Sequence, residues 1–186
     1  KSVKINGDHF VVMLSERRIR TKVKQLAKKI SKDYKGTVPV FIGILNGSFV
    51  FFADLIREVT IDCEIDFLKL SSHGDAKISS GNVTLLKDLN CQVEGRDIII
   101  VEDIIDSGLS MEYIRNLIMQ QNPKSFRVVT LLYKKDAVKT SMTIDYIGFS
   151  IPRDFVIGYG LDYAQRLRHL KAIYRLKAKW LLDNED

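Results

Sequence analysis

The sequence predicts an α/β fold in which a mostly parallel, twisted sheet is flanked by helices, and three observations carry that prediction. Short runs rich in Val and Ile, "VPVFIGIL", "IIIVEDII" and "FRVVTLLY", read as buried strands. Segments with apolar residues at helical spacing separate them, and strands alternating with helices argue for parallel pairing under a helical cover. Finally, 186 residues at 46% apolar content suffice for one sizeable core and fall short of two ordinary domains.

In order along the chain, Ser15 caps "SERRIRTKVKQLAKKISKDYKG". Ile19, Val23, Leu26, Ala27 and Ile30 repeat there at helical spacing, and Gly36 fits the stop. The remaining positions of this helix are crowded with Arg17, Arg18, Arg20, Lys22, Lys24, Lys28 and Lys29. Taken alone they read as a solvated face, or as a nucleic-acid stripe. The strand "VPVFIGIL" then leads through the turn "NGS" into the helical "FVFFADLIREV", and "IDCEIDFLKL" is the second strand. The polar, Gly/Ser-rich "SSHGDAKISSGN" is an exposed loop about a dozen residues long, a length typical of active-site lids. "IIIVEDII" is the third strand, Ser110 to about Gln121 the next helix, "FRVVTLLY" the fourth strand and "IDYIGFS" the fifth. No repeat or linker interrupts the chain.

Lys and Arg outnumber Asp and Glu 29 to 23, a formal charge of +6 that suits an anionic partner such as a phosphorylated metabolite or a nucleic acid. Cys63 and Cys91 lack the spacing of a metal clip or redox motif and read as reduced thiols. No apolar run approaches the roughly 20 residues of a membrane span, so a soluble, cytoplasmic protein is expected.

The chemistry concentrates in "RDIIIVEDIIDSGLSMEYIRNLI". A strand ends in Glu102 and Asp103, and Asp106 opens a Ser/Gly/Ser turn before a helix. Carboxylates are costly to bury unpartnered, so these are expected to meet a ligand, a metal ion or water. The first amides of the helix lack internal partners, which with the helix dipole makes an anion site. Ser107 and Ser110 add hydroxyls and Gly108 permits close approach. There is no "GxxxxGK" and only one glycine, so neither a Walker A loop nor a dinucleotide fingerprint is present. An anion site beside two carboxylates suggests a sugar phosphate, its hydroxyls donating to the acids. In parallel sheets ligands bind beyond the carboxyl ends of strands. Those ends carry Asn46 and Gly47, Glu102 to Ser110, Lys134, and Asp162 after "FVIGYGL".

"VEDIIDSGLSM" resembles the phosphoribosyl pyrophosphate signature of the type I phosphoribosyltransferases. Together with "ILNGSFVFFADL", "SSHG...SSG", "TLLYKKD" and "GFSIPRDFVIGYGLDY", it makes residues 3 to 175 similar to the short, bacterial hypoxanthine-guanine phosphoribosyltransferases. The resemblance implies the type I phosphoribosyltransferase fold as a single domain over 1–186, with a small hood from the terminal segments and a flexible lid at about 71–82. It implies transfer of ribose 5-phosphate from phosphoribosyl pyrophosphate to a 6-oxopurine base, hypoxanthine and guanine with xanthine as a further candidate, through an oxocarbenium-like transition state. It also implies a homodimer or homotetramer and no nucleic-acid or membrane partner.

By position, the resemblance has Asp106, Ser107, Gly108, Leu109 and Ser110 hold the 5-phosphate, and Glu102 and Asp103 address the ribose hydroxyls. Asp106 doubles as the proton acceptor and donor at purine N7, help typically worth 10²- to 10⁴-fold. Lys134 donates to the 6-oxo group, and against adenine's amino group such a mismatch can be worth about 10⁴-fold. Phe155 stacks on the base while the carbonyls of Val156 and Asp162 read its other edge. Arg168 and the Leu45, Asn46 and Gly47 backbone grip the pyrophosphate, with Mg²⁺ near Glu102, Asp103 and Asp162. In many relatives the Leu45-Asn46 position is a cis peptide. Two departures stand out. Asn46 replaces a Lys common in the family, and in the lid Ser72-His73 replaces a Ser-Tyr pair, so closure is expected to seal less well or to acquire a pH-dependent step. The competing reading is a regulator of this fold that senses the nucleotide and binds RNA or DNA through the basic first helix.

Overall fold

The computed structural model describes residues 2–71 and 84–177. Strands β1 (Ser2–Ile5) and β2 (Asp8–Leu14) lead to helix α1 (Glu16–Asp33), strand β3 (Val40–Ile44), helix α2 (Phe49–Glu58) and strands β4 (Glu64–Leu70) and β5 (Leu85–Lys87). Strand β6 (Asp97–Ile105), helix α3 (Leu109–Met119), and strands β7 (Ser125–Tyr133), β8 (Tyr146–Ser150), β9 (Val156–Ile157) and β10 (Ile173–Leu176) complete the order.

The main sheet has the order β5-β4-β3-β6-β7-β8. Its four inner pairings are parallel and only β5 runs antiparallel to its neighbour. Alternation in β6 shows how both faces are buried. Ile99 and Val101 join Ile19, Val23, Phe51 and Leu55 of α1 and α2, whereas Ile98 and Ile100 join Met111, Ile114 and Ile118 of α3. A strand apolar on both faces is therefore a continuous run of Ile and Val, as the sequence reads.

Helix α1 forms as its spacing predicts. The Ser15 side chain accepts from the Arg18 amide at 3.4 Å, and Ile19, Val23, Leu26, Ala27 and Ile30 are its buried face. Much of the basic face is engaged locally. Arg20 pairs with Glu16, and Arg18 and Lys22 lie over the Phe149 ring at 5.7 and 5.4 Å.

The terminal segments form the hood expected from the family resemblance, an antiparallel sheet of order β1-β2-β10-β9 around Phe10, Ile157 and Tyr174. Its strands were not read from the sequence by periodicity. One consequence corrects an expectation: "FVIGYGL" contributes β9 to the hood, so Asp162 follows a hood strand and not a strand of the parallel sheet. The lid residues Ser72 and His73 lie outside the described residues. Among the described residues, no helix is long and apolar enough to cross a membrane.

Candidate active site

The parallel ladder between β3 and β6 ends at Gly43 and Val101, and β3 then gives way to the 45–47 loop. β6 runs on to Ile105 against β7, so Glu102 and Asp103 stand inside a strand and not at its solvated exit. That corrects the expectation of a terminal acidic pair: each is only 8% exposed. The β6 ladder continues because Ile104 and Ile105 still have partners in Leu132 and Tyr133. Facing them is the 45–47 loop, where the Leu45-Asn46 peptide is cis. Gly47 is required there, since a Cβ at this position would collide with the Asp103 carboxylate.

Electrostatically the pair is uncomfortable. Burial, and then the neighbouring Asp103, push the Glu102 carboxyl well above its ordinary range. Burial likewise raises Asp103, which is pulled partly back by hydrogen bonds from Glu102 and the Ile104 amide and by the charge of Arg168. Two adjacent, desolvated carboxylates fit a small, hard divalent cation, which takes one or two such ligands and completes its shell with water and phosphate oxygens. Among the described residues no group of three or more His, Cys, Asp or Glu converges on a metal-sized point, so a cation here would draw its other ligands from a substrate.

Beyond Ile105 the chain turns through Asp106 to Gly108 into α3. Gly108, at φ +84°, is the helix N-cap, a backbone conformation costly for residues with a Cβ, and the Thr140 hydroxyl fills the space a Cβ would need. Ser107 is fixed twice: its hydroxyl accepts from the Leu109 amide at 3.3 Å and its carbonyl from the Lys139 amide at 2.8 Å. Ser110 sits in the first turn of α3 with Leu109. The first amides of α3 have no acceptor within the helix.

Lys134 follows β7 directly, its amide donating to the Ile105 carbonyl at 3.0 Å. Its ammonium is nearly buried and donates to the Asp106 carboxylate at 2.7 Å. The sequence places both residues at strand ends but gives no sign that they touch. Arg153 donates to the Asp136 carbonyl, tying the segment before Phe155 to the one after Lys134. Phe155 is 48% exposed, its ring packed at 6.2 Å from Phe10 and 6.0 Å from Tyr163, while Val156 is buried. Phe10 and Tyr163 escaped the sequence reading as supports of the site. The short apolar run "FVVML", Phe10 to Leu14, was the signal available for the first of them.

Arg168 and Asp162 come together in the 158–170 hairpin. The guanidinium lies 3.3 Å from the Asp162 carboxylate and donates to the Gly160 carbonyl at 2.8 Å and to Gln165 Oε1 at 2.9 Å. Asp162 also accepts from the Gln165 amide at 2.8 Å. A cavity of about 480 Å³ lies behind Arg168, lined by Glu16, Arg20, Asp54, Tyr159 and His169 among others, and holds none of the signature carboxylates. Asp106 and Lys134 are likewise absent from its walls, so the cavity's size says nothing about where the chemistry sits.

Comparisons with known proteins agree with this arrangement. Residues 13–164 match the model of the phosphoribosyl transferase domain. A hypoxanthine-guanine phosphoribosyltransferase of Bacillus subtilis is 46% identical over 166 residues, covering 89% of this chain and 92% of that protein. The hypoxanthine phosphoribosyltransferase of Escherichia coli K12 is 44% identical over 164 residues, covering 87% and 92%. A crystal structure of a Bacillus anthracis hypoxanthine-guanine phosphoribosyltransferase superposes with a TM-score of 0.86 at 41% identity, covering 90% of this chain and 98% of that one. The domain match and relatives alike over nearly their whole length show that the chain belongs to the type I phosphoribosyltransferase family, among its hypoxanthine-guanine phosphoribosyltransferases.

Proposed function

We propose that the protein is a purine-salvage enzyme that transfers ribose 5-phosphate from phosphoribosyl pyrophosphate to hypoxanthine, and to guanine, giving the mononucleotide and pyrophosphate. The observation that carries this reading is the Lys134–Asp106 pair at 2.7 Å, which joins the end of β7 to the turn that opens α3. An ammonium and a carboxylate side by side complement the edge of a 6-oxopurine, in which a carbonyl acceptor lies next to a ring N–H.

In the reaction the bond from the sugar's anomeric carbon to the pyrophosphate oxygen breaks and a bond to the purine ring nitrogen forms. Asp106 takes the proton from N7 as the base attacks, and Lys134 polarises the 6-oxo group. Phe155 stacks on the base, with the carbonyls of Val156 and Asp162 reading its far edge. The amides and hydroxyls of residues 106–110 hold the 5-phosphate, and Glu102 and Asp103 receive the ribose hydroxyls. Arg168 and the 45–47 backbone bind the departing pyrophosphate, positive charge and oriented amides stabilising the anion as it forms. Glu102 and Asp103 would hold Mg²⁺ at the ribose and Asp162 would help to hold it at the pyrophosphate, substrate oxygens completing the shell, and the cation would offset the charge of the carboxylates and of the pyrophosphate. Ser72 and His73 belong to the lid in this reading, and the assembly is a cytoplasmic homodimer or homotetramer of single-domain chains. Relatives named as transferases do not favour the regulator alternative.

A product assay tests the proposal: protein, Mg²⁺ and phosphoribosyl pyrophosphate with hypoxanthine, guanine, xanthine or adenine, and Asp106→Asn alongside. Mononucleotide from 6-oxopurines but not adenine, reduced 10²- to 10⁴-fold by Asp106→Asn, is the expected result. Clear binding of phosphoribosyl pyrophosphate without turnover of any base sinks it.

A further inference from the structure

Two walls would have to stay in register for a pyrophosphate to be gripped between Arg168 and the 45–47 loop, and they come from distant parts of the chain. The 45–47 loop leads directly into α2. Arg168 comes from the hairpin after β9, whose turn is Gly158, Tyr159 and Gly160, at φ +91°, +52° and +100°. Three consecutive left-handed residues are unusual, and Tyr159 alone among them carries a side chain, in a conformation that L residues with a Cβ rarely adopt.

That side chain reaches across to α2. The Tyr159 hydroxyl donates to the Asp54 carboxylate at 2.6 Å, joining residues 105 apart in sequence, and the ring is buried in the core shared with α1 and α2. Next in sequence, Gly160 abuts the Gly47 carbonyl so closely that a Cβ there would collide with it. Gly160 is also bonded to Arg168 in both directions: its amide donates to the Arg168 carbonyl at 2.9 Å, and its carbonyl accepts from the Arg168 guanidinium at 2.8 Å. The turn therefore holds Arg168 with one residue and α2 with its neighbour. Burial first, and then the bond to Asp54, push the Tyr159 phenol up, so it remains a donor at every ordinary assay pH.

We infer that Tyr159 and Asp54 are positioning residues for the pyrophosphate end of the site, their hydrogen bond setting Arg168 against the 45–47 loop without either side chain touching substrate. The inference rests on the proposed function, because it presumes that Arg168 and this loop bind the pyrophosphate moiety. Tyr159→Phe keeps the ring and removes the donor, Asp54→Ala removes the acceptor, and Asp54→Asn restores a neutral one.

The test uses the full chain with Mg²⁺, measuring the affinity for inorganic pyrophosphate by calorimetry, KM for phosphoribosyl pyrophosphate, KM for hypoxanthine, and Tm. Tyr159→Phe and Asp54→Ala are expected to weaken pyrophosphate binding and raise KM for phosphoribosyl pyrophosphate about 3- to 30-fold, part of the roughly 10- to 150-fold that a hydrogen bond to a charged group is worth, because the effect reaches the pyrophosphate through Arg168 and not by contact. KM for hypoxanthine should stay within about 2-fold, Asp54→Asn should recover part of the loss, and the double variant should be no worse than the weaker single one. A lowered Tm with both KM values unchanged, or a parallel rise in both, overturns the inference and leaves an ordinary structural bond. A wild-type protein that neither binds pyrophosphate nor turns over removes the functional reading itself, and the inference falls with it. Should Tyr159→Phe fail to fold, the Asp54→Ala and Asp54→Asn pair decides the same question.

Discussion

Replacing Lys134 by Met isolates the charge that the proposed mechanism aims at the 6-oxo group. Met keeps most of the stem's length and packing while removing the ammonium of a residue only 9% exposed and bonded to Asp106 at 2.7 Å. A hydrogen bond to a charged group is worth about 1.5–3 kcal/mol, which at 25 °C is roughly 10- to 150-fold in kcat/KM for hypoxanthine. The loss should fall on the base: KM for phosphoribosyl pyrophosphate should change by less than about 3-fold, and preference for hypoxanthine over adenine should drop at least about 10-fold. Stability should hardly suffer. The orphaned Asp106 side chain is 58% exposed and stays hydrated, so no buried charge is left unpaired. Steady-state kinetics with both bases, with Tm measured in parallel, make the check. A variant with wild-type kcat/KM for hypoxanthine, or one whose loss appears chiefly in KM for phosphoribosyl pyrophosphate, would refute the assignment.

Three further outcomes are expected. Gly47→Ala should cost about 1–3 kcal/mol, or roughly 2–12 °C in Tm, with a large loss of activity, because the new methyl displaces the Asp103 carboxylate; thermal melts and a single-point assay suffice. Phe155→Ala should raise KM for the base about 5- to 150-fold, the range of a lost ring-on-base stack, while leaving KM for phosphoribosyl pyrophosphate alone. The third concerns Asp66 in β4: burial raises its carboxyl, but the amides of Cys91, Phe67 and Asn90 outweigh that and bring it down to about 2. Since the folded value lies below the ordinary 3.8, its contribution, about 2–3 kcal/mol, is present above pH 4 and lost as pH falls from about 4 to 2. The Tm gap between wild type and Asp66→Asn should accordingly narrow below pH 4, and a gap independent of pH would contradict the account.

Local pattern was enough for the parallel strands and for α1 to α3. Continuous Val/Ile runs of strand length, bounded by turn residues, read as strands covered on both faces, and Ile19, Val23, Leu26, Ala27 and Ile30 share a face only at helical pitch. The signature turn was equally legible, because "DSGLS" after a buried strand states its chemistry in adjacent residues. The hood strands were not: β2 pairs with β10 across some 160 residues of chain, and short, half-exposed segments carry too little periodicity to announce a partner so distant.

Sequence alone therefore determined the fold class, the family and which residue types gather at the strand ends, since each of these is written in neighbouring residues. Tertiary structure decided the rest. Glu102 and Asp103 are buried because β6 keeps pairing with β7 after β3 has ended. Asp106 meets Lys134 because β6 and β7 pair side by side, and Tyr159 meets Asp54 because the turn after β9 packs against α2. Periodicity encodes which face of an element turns inward. What lies on the other side of the contact depends on how the elements pack, and no local pattern records that.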